Sequence, residues 1–213
     1  MNLTSKTNLI EPSVWADFMQ QLKCIYAAMD DAYERAAKQY GFSCDGCRDN
    51  CCRTRFYHHT LIEYVYLKEG LMTLSVDLQD QVKLRAITVM DTFDKAHDNR
   101  EAIRLMCPLN VDTRCILYPY RPMICRLHGI PHELKKPGQP GIMGPGCDTF
   151  DSRCGRKPYI PFDRTSIYRD MAKLEQEARQ TTRFDGKIKM TVAEMILFHA
   201  NAMELGARGK DSD

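Results

Sequence analysis

Cys44-Asp-Gly-Cys47-Arg-Asp-Asn-Cys51-Cys52 gathers four thiols within nine residues, and further cysteines follow at 107, 115, 125 and 147. Metal ligation by thiolate needs several sulfurs aimed at one point. C-x2-C achieves this locally, because the intervening pair makes a turn that points both side chains inward, and Cys44 and Cys47 have that spacing. Adjacent side chains in an extended segment point to opposite sides, so Cys51 and Cys52 serve different metals, or one ligates while the other packs behind it. Sulfurs from this group that meet Cys107, Cys115, Cys125 or Cys147 close a loop of more than fifty residues. The metal then holds the loop and its flanking helices together.

Working outward, Glu11-Pro12-Ser13 opens a pattern with apolar residues at Val14, Trp15, Phe18, Met19, Leu22, Ile25, Tyr26, Met29, Ala32, Tyr33, Ala36 and Tyr40. Steps of three and four predict a helix of about seven turns, stopped by Gly41, with Cys24 buried inside it as a small side chain. After the first cysteines, Thr60-Leu-Ile-Glu63 is a capping box before a helix that Gly70 would end. Ser75 to about His97 predicts another helix burying Leu78, Val82, Ile87, Met90 and Phe93. Arg100 to Met106 reads as a turn or two of helix. Helices are also predicted over about 164–182, with Ile167, Met171, Leu174 and Ala178 on one face, and from the capping box Thr191-Val-Ala-Glu194 to Gly206, burying Val192, Met195, Ile196, Phe198 and Leu205.

From Cys107 to about Pro161 the periodicity disappears and Gly and Pro become frequent. A loop this long in a compact domain needs something other than secondary structure to pin it, and a metal held by its cysteines would do so. Arg55–His58 and Cys115–Tyr118 are the only short extended pieces the pattern suggests. The expected fold is mainly α, one domain over residues 1–213: an N-terminal long helix in 1–41, a cysteine-cluster metal-binding region in 42–160 and C-terminal helices in 161–206, all packed around an irregular, cysteine-rich lobe.

The opening segment has no basic-then-apolar leader and no stretch reaches the roughly 18 apolar residues of a membrane span, which predicts a cytoplasmic protein without a membrane partner. In that reducing compartment clustered thiols are metal ligands rather than disulfides. The net charge is +2, but 13 basic and 15 acidic side chains up to residue 106 give way to 17 and 13 beyond it. The basic excess therefore follows the second cysteine group, where it balances a thiolate-rich centre or forms a solvated basic face. A nucleic-acid partner is not expected, because aromatic residues are not interleaved with these charges.

Around the second cysteine group, Arg121 and Arg126 either donate to the sulfurs of a bound cofactor or bind an anionic ligand nearby, or pair with acidic residues and fix the loop. Tyr118 hydrogen-bonds a thiolate or packs. His58, His59, His128 and His132 lie near the cysteines, yet enough sulfurs are present without them. The glycines from 138 to 146 lack the spacing of a nucleotide loop.

Cys44-x2-Cys47-x3-Cys51-Cys52, then Cys107-Pro-Leu, then Cys115-Ile-Leu-Tyr-Pro-Tyr-Arg-Pro-Met-Ile-Cys125-Arg126 and finally Cys147-Asp148, resembles the YkgJ-like cysteine-cluster family, described as zinc- or iron-chelating. Cys115, Tyr118, Arg121, Pro122, Cys125 and Arg126 match that family's second element, with Leu117 in place of its usual Ile and Leu127 in place of a frequent Phe. The resemblance spans roughly residues 44–150 and implies Cys44, Cys47, Cys51, Cys52, Cys107, Cys115, Cys125 and Cys147 as metal ligands. Cys24 and Cys154 have no counterpart in it. A flagellin lysine N-methylase is a relative that carries a similar cluster. Sulfur-only ligation suits zinc and iron–sulfur clusters alike, and Cys107-Pro108 is the dipeptide that ends ferredoxin cluster motifs. A 4Fe-4S cluster is the expected cofactor, with zinc as the alternative. The expected function is electron transfer with a redox partner, or a methylation-like protein modification. The alternative is a zinc-stabilised module that binds a protein partner.

Overall fold

The computed structural model describes residues 12–44, 51–96, 103–135 and 138–208, without the side chains of 12, 51 and 202–208. The fold is mainly helical. Helix α1, Pro12–Tyr40, buries the predicted stripe, including Trp15, Phe18, Met19, Leu22, Tyr26, Met29 and Tyr40. It ends at Gly41, whose φ of +61° is the left-handed conformation glycine adopts without strain. The Phe42 amide reaches back to the Ala37 carbonyl and that of Gly41 to Lys38, both at 2.9 Å, which makes a Schellman motif. The Lys157 ammonium caps the Tyr40 carbonyl at 2.6 Å. Cys24, expected to be buried, is exposed on this helix, because it lies off the apolar stripe.

Helix α2, Leu61–Met72, is the centre of the packing: Leu61 to Leu67, Gly70 and Leu71 are all buried. A helix buried on every side needs neighbours on every side, and α2 touches α1, the 3-10 turn Tyr118–Tyr120, and two C-terminal helices described below. Its capping box forms as predicted, with the Glu63 amide donating to Thr60 Oγ1 at 3.3 Å. Gly70 does not stop the helix, which continues to Met72. Its missing side chain serves close approach instead, since a Cβ there would lie 2.5 Å from Cγ of Tyr120.

Helix α3, Val76–Lys95, is capped by Ser75 and buries Val82, Ala86 and Phe93. Leu78 and Ile87, expected inside, are each 36% exposed, so the buried stripe is rotated away from them. The described part of the segment predicted as helix before Cys107, residues 103–106, has no helical structure.

The region beyond Cys107 contains more regular structure than its composition suggests. Strands β1, Asn110–Val111, and β2, Arg114–Cys115, form a hairpin with Asn110 opposite Cys115. Helix α4, Met123–Leu127, follows. Strands β3, His132–Leu134, and β4, Ile142–Gly144, form a second hairpin, and α5 spans Asp148–Cys154. Of the extended pieces expected, Arg55–His58 supplies only the bridge between His58 and Met190. The piece at 115–118 ends at once in the 3-10 turn, where Pro119 fixes φ and withholds an amide.

Helix α6, Thr165–Thr182, and helix α7, Val192–Arg208, complete the frame; α6 packs on α1 and α2, and α7 on α2 and α3. Helix α7 continues past Gly206. The Glu175 carboxylate of α6 accepts the first two amides of α2, Leu61 at 2.8 Å and Ile62 at 3.1 Å, and pairs with Arg179. A buried anion is therefore spent on the exposed amides and positive dipole end of the central helix.

Candidate metal centre

A cavity of about 1050 Å3 runs between α1, α3, the first turn of α7 and the coil that follows residue 103, and Cys44, Cys52, Cys107, Cys115 and Cys125 all line it. Each thiol arrives by a different local device. Cys44 follows the α1 stop signal, and its sulfur lies 3.6 Å from the Tyr33 hydroxyl. Cys52 sits in the 3-10 turn Cys51–Arg53, and its carbonyl accepts the Cys107 amide at 2.8 Å, joining the two cysteine groups directly. Cys107-Pro-Leu-Asn110 closes as a β-turn through an Asn110 N–H to Cys107 carbonyl bond of 2.9 Å, with proline at the position a β-turn favours.

Cys115 is placed by the β1–β2 hairpin. Its two-residue loop has positive φ at both Asp112 (48°) and Thr113 (70°), the geometry that matches the twist of paired strands. Aspartate tolerates it, whereas β-branched threonine does so at a cost. Cys125 rides on α4, whose first amide, Met123, donates to the buried Glu63 carboxylate at 2.7 Å. Glu63 thus caps α4 while completing the box at the start of α2, and the frame fixes the position of Cys125.

Three sulfurs accept backbone amides: Cys107 from Leu109, Cys115 from Leu117, and Cys147 from Phe150 at 3.4 Å. Amides aimed at sulfur favour its anionic form. Burial opposes this strongly. The Cys107 thiol is pushed up to about 12, chiefly by burial and then by neighbouring thiols, against the Leu109 amide and Arg85. Burial lifts Cys115 to about 11, against the Leu117 amide, Arg121 and Arg126. Cys125 lies well above the usual thiol range through burial and then the charges of Cys107, Cys52 and Cys115. Cys52, Cys107, Cys115 and Cys125 are therefore close enough to oppose one another's ionisation. Without a cation the buried thiols stay protonated at neutral pH, and a bound cation would reverse that.

Among the described residues no three His, Cys, Asp or Glu side chains are grouped closely enough to hold one metal ion. The four thiols share a wall without forming a closed ligand shell. Cys47 and the side chain of Cys51 lie outside the described residues. Cys147 does not line the cavity; it caps α5. Cys154, buried, donates to the Tyr40 carbonyl at 3.5 Å.

The three cofactor candidates beside the cysteines line the same cavity but differ in how they are engaged. Arg126 is buried, pairs with Asp30, donates to the carbonyls of Arg121 and Pro119, and lies 4.1 Å from the Tyr26 ring centroid. Those bonds tie the loop before α4 to α1. Arg121 stacks at 3.5 Å over the Tyr118 ring and donates to the Tyr118 carbonyl at 3.1 Å. Tyr118 is 58% exposed and packs on that arginine. Both arginines favour ionisation of Cys115.

The positioning residues Glu63, Asp30, Tyr33 and Arg85 had no signal for this role in the sequence, apart from the capping box that marked Glu63. Of the histidines near the cysteines, His58 and His128 line the cavity. Burial lowers the pKa of both. Among the described residues no helix is long and apolar enough to cross a membrane. No family model, curated protein or solved structure matches this chain.

Proposed function

We propose that this chain binds metal through Cys52, Cys107, Cys115 and Cys125, joined by thiols of the Cys44–Cys51 group, and that the resident group is an iron–sulfur cluster. The observation that carries this reading is the convergence of four thiols from separate segments on one cavity, two of their sulfurs already accepting backbone amides. The donor set fits such a group: soft sulfurs, amides directed at them, and Arg85, Arg121 and Arg126 close enough to offset thiolate charge.

When bound, the cluster supplies one-electron redox chemistry. The chain's own residues set its surroundings: the Leu109 and Leu117 amides donate to sulfur, Arg126 braces the loop against α1, and Glu63 fixes Cys125. These features support an electron-transfer role or a protein-modification reaction in the cytoplasm, within the YkgJ-like family that the cysteine pattern resembles. The zinc-stabilised interaction module is the second reading. It is favoured by the number of sulfurs on that wall, since a structural zinc site needs four.

Absorption of anaerobically purified protein separates the two. An iron–sulfur protein is brown with broad absorption at about 400 nm, lost on replacing Cys115 by Ser. Colourless protein with stoichiometric zinc would refute the iron–sulfur reading in favour of the module.

A further inference from the structure

Part of the cavity wall carries polar groups other than thiols. Arg55 lines the cavity, its Nε is buried without a hydrogen-bond partner, and its guanidinium lies 4.1 Å from the Phe93 ring centroid and 5.2 Å from that of Tyr57. Lys189, which does not itself line the cavity, stands over the same Tyr57 ring at 4.7 Å. The His58–Met190 bridge brings these two segments together. Among the described residues neither cation has a carboxylate within ion-pair distance, and the arginines that most favour ionisation of Cys107 and Cys115 are Arg85, Arg121 and Arg126.

The first turn of α7 lies in the same wall through Thr191, Val192 and Ala193. Thr191 Oγ1 takes the Glu194 amide at 3.3 Å and the Glu194 carboxylate takes the Thr191 amide at 2.6 Å, which leaves the Val192 and Ala193 amides as the donors that this helix start presents to an anion. His58, 3% exposed, belongs to this wall as well, and its Nε2 has no partner. Beside these polar groups the wall is apolar, with Phe56, Val89, Phe93 and Met106. A cavity of about 1050 Å3 matches the upper range of small-molecule sites.

We propose that this cavity binds a small organic anion, its carboxylate or phosphate held by Arg55 and the first-turn amides of α7, with Lys189, which shares the Tyr57 ring with Arg55, adding positive charge nearby, and its apolar body packed against Phe56, Phe93 and Met106. Arg55 without a carboxylate partner, an orphaned imidazole nitrogen and a helix start on one wall give the acidic end a place to bind. The aromatic and aliphatic residues discriminate against a bare inorganic ion. The groups that would hold the anion are not thiols, so its binding is tested separately from the iron–sulfur reading although both use one cavity.

Calorimetric titration of the full chain with phenyl phosphate, 3-phenylpropionate, inorganic phosphate and benzyl alcohol tests it. Saturable binding of either aromatic anion is expected, with the preferred anion identifying the headgroup. Inorganic phosphate should bind at least about tenfold more weakly and benzyl alcohol not at all, because each lacks half of the recognised chemistry. Arg55→Gln should weaken the aromatic anion by about tenfold or more and Lys189→Glu, by reversing a nearby charge, about threefold or more, while Arg156→Gln, an exposed site elsewhere, should not. Lys189 is exposed, so its reversal keeps the test valid even if Arg55→Gln does not fold. Absence of aromatic-anion binding at millimolar concentration, equal binding of inorganic phosphate, or unchanged affinity in Lys189→Glu would overturn the proposal.

Discussion

The helical frame and the cysteine-bearing coil are stabilised by different physics. In the frame, α2 is buried on all sides and its start is held twice, by its own Thr60–Glu63 box and by Glu175 of α6. In the coil between Cys107 and Cys125, order rests on a β-turn, two two-residue strands, a strained hairpin loop and a one-turn helix. The frame can hold itself together by burial. The coil borrows its position from the frame through Glu63 and Arg126, and on our reading from a metal. The contrast teaches that the thiols are placed by a scaffold that does not depend on them.

Metal removal should break this comparison most visibly. Chelation, or Cys125→Ser, should strip hydrogen-exchange protection from the amides of Cys107, Asn110, Ile116 and Cys125 while α1, α2 and α6 stay protected, because a structural metal contributes on the order of 10 kcal/mol to the segment it organises. Uniform loss of protection would make metal and frame one unit. The reverse experiment is Glu175→Ala, which leaves two α2 amides and Arg179 without their partner. It should cost about 3–5 kcal/mol of global stability by chemical denaturation, with metal content retained in the folded protein.

Gly70→Ala probes the seam between the regions, since its new methyl would meet Tyr120 in the turn just before Arg121. We expect a cost of about 1–3 kcal/mol and faster metal loss to a chelator; unchanged release would uncouple the turn from the site. Smallest is the acid response of the frame. His199 is buried, both its ring nitrogens lack partners, and burial lowers its pKa below 6.5. The unfolded chain therefore takes up a proton near pH 6.5 that the folded chain resists, so stability is kept above that pH and lost as pH falls below it. His199→Leu should flatten this slope by up to about 1.4 kcal/mol per pH unit.

The frame was readable in the sequence wherever local chemistry decides structure. The α1 stripe, the Gly41 stop and the boxes at Thr60 and Thr191 all depend on residues within a few positions of one another. Gly70 and Gly206 misled as stops because neither is followed by the backbone reversal that makes a glycine terminate a helix. At Gly70, close packing against Tyr120, fifty residues away, explains the residue. Leu78 and Ile87 misled because apolar spacing alone does not fix which face of α3 meets α7. At the site, cysteine spacing pointed to the thiols. It could not reveal that Cys147 would cap α5, that Arg126 would be committed to Asp30 and two carbonyls, or that Glu63 would reach Met123 sixty residues on, since each depends on tertiary placement.

The central claim is that the converging thiols are metal ligands. Metal and acid-labile sulfide analysis of anaerobically isolated native protein, paired with mass-spectrometric counting of alkylatable thiols before and after denaturation, tests it most directly. The account predicts stoichiometric iron with sulfide, and Cys52, Cys107, Cys115 and Cys125 protected from alkylation until the metal is removed. Metal-free protein with those four cysteines joined in disulfides, or freely alkylated in the folded state, would contradict it.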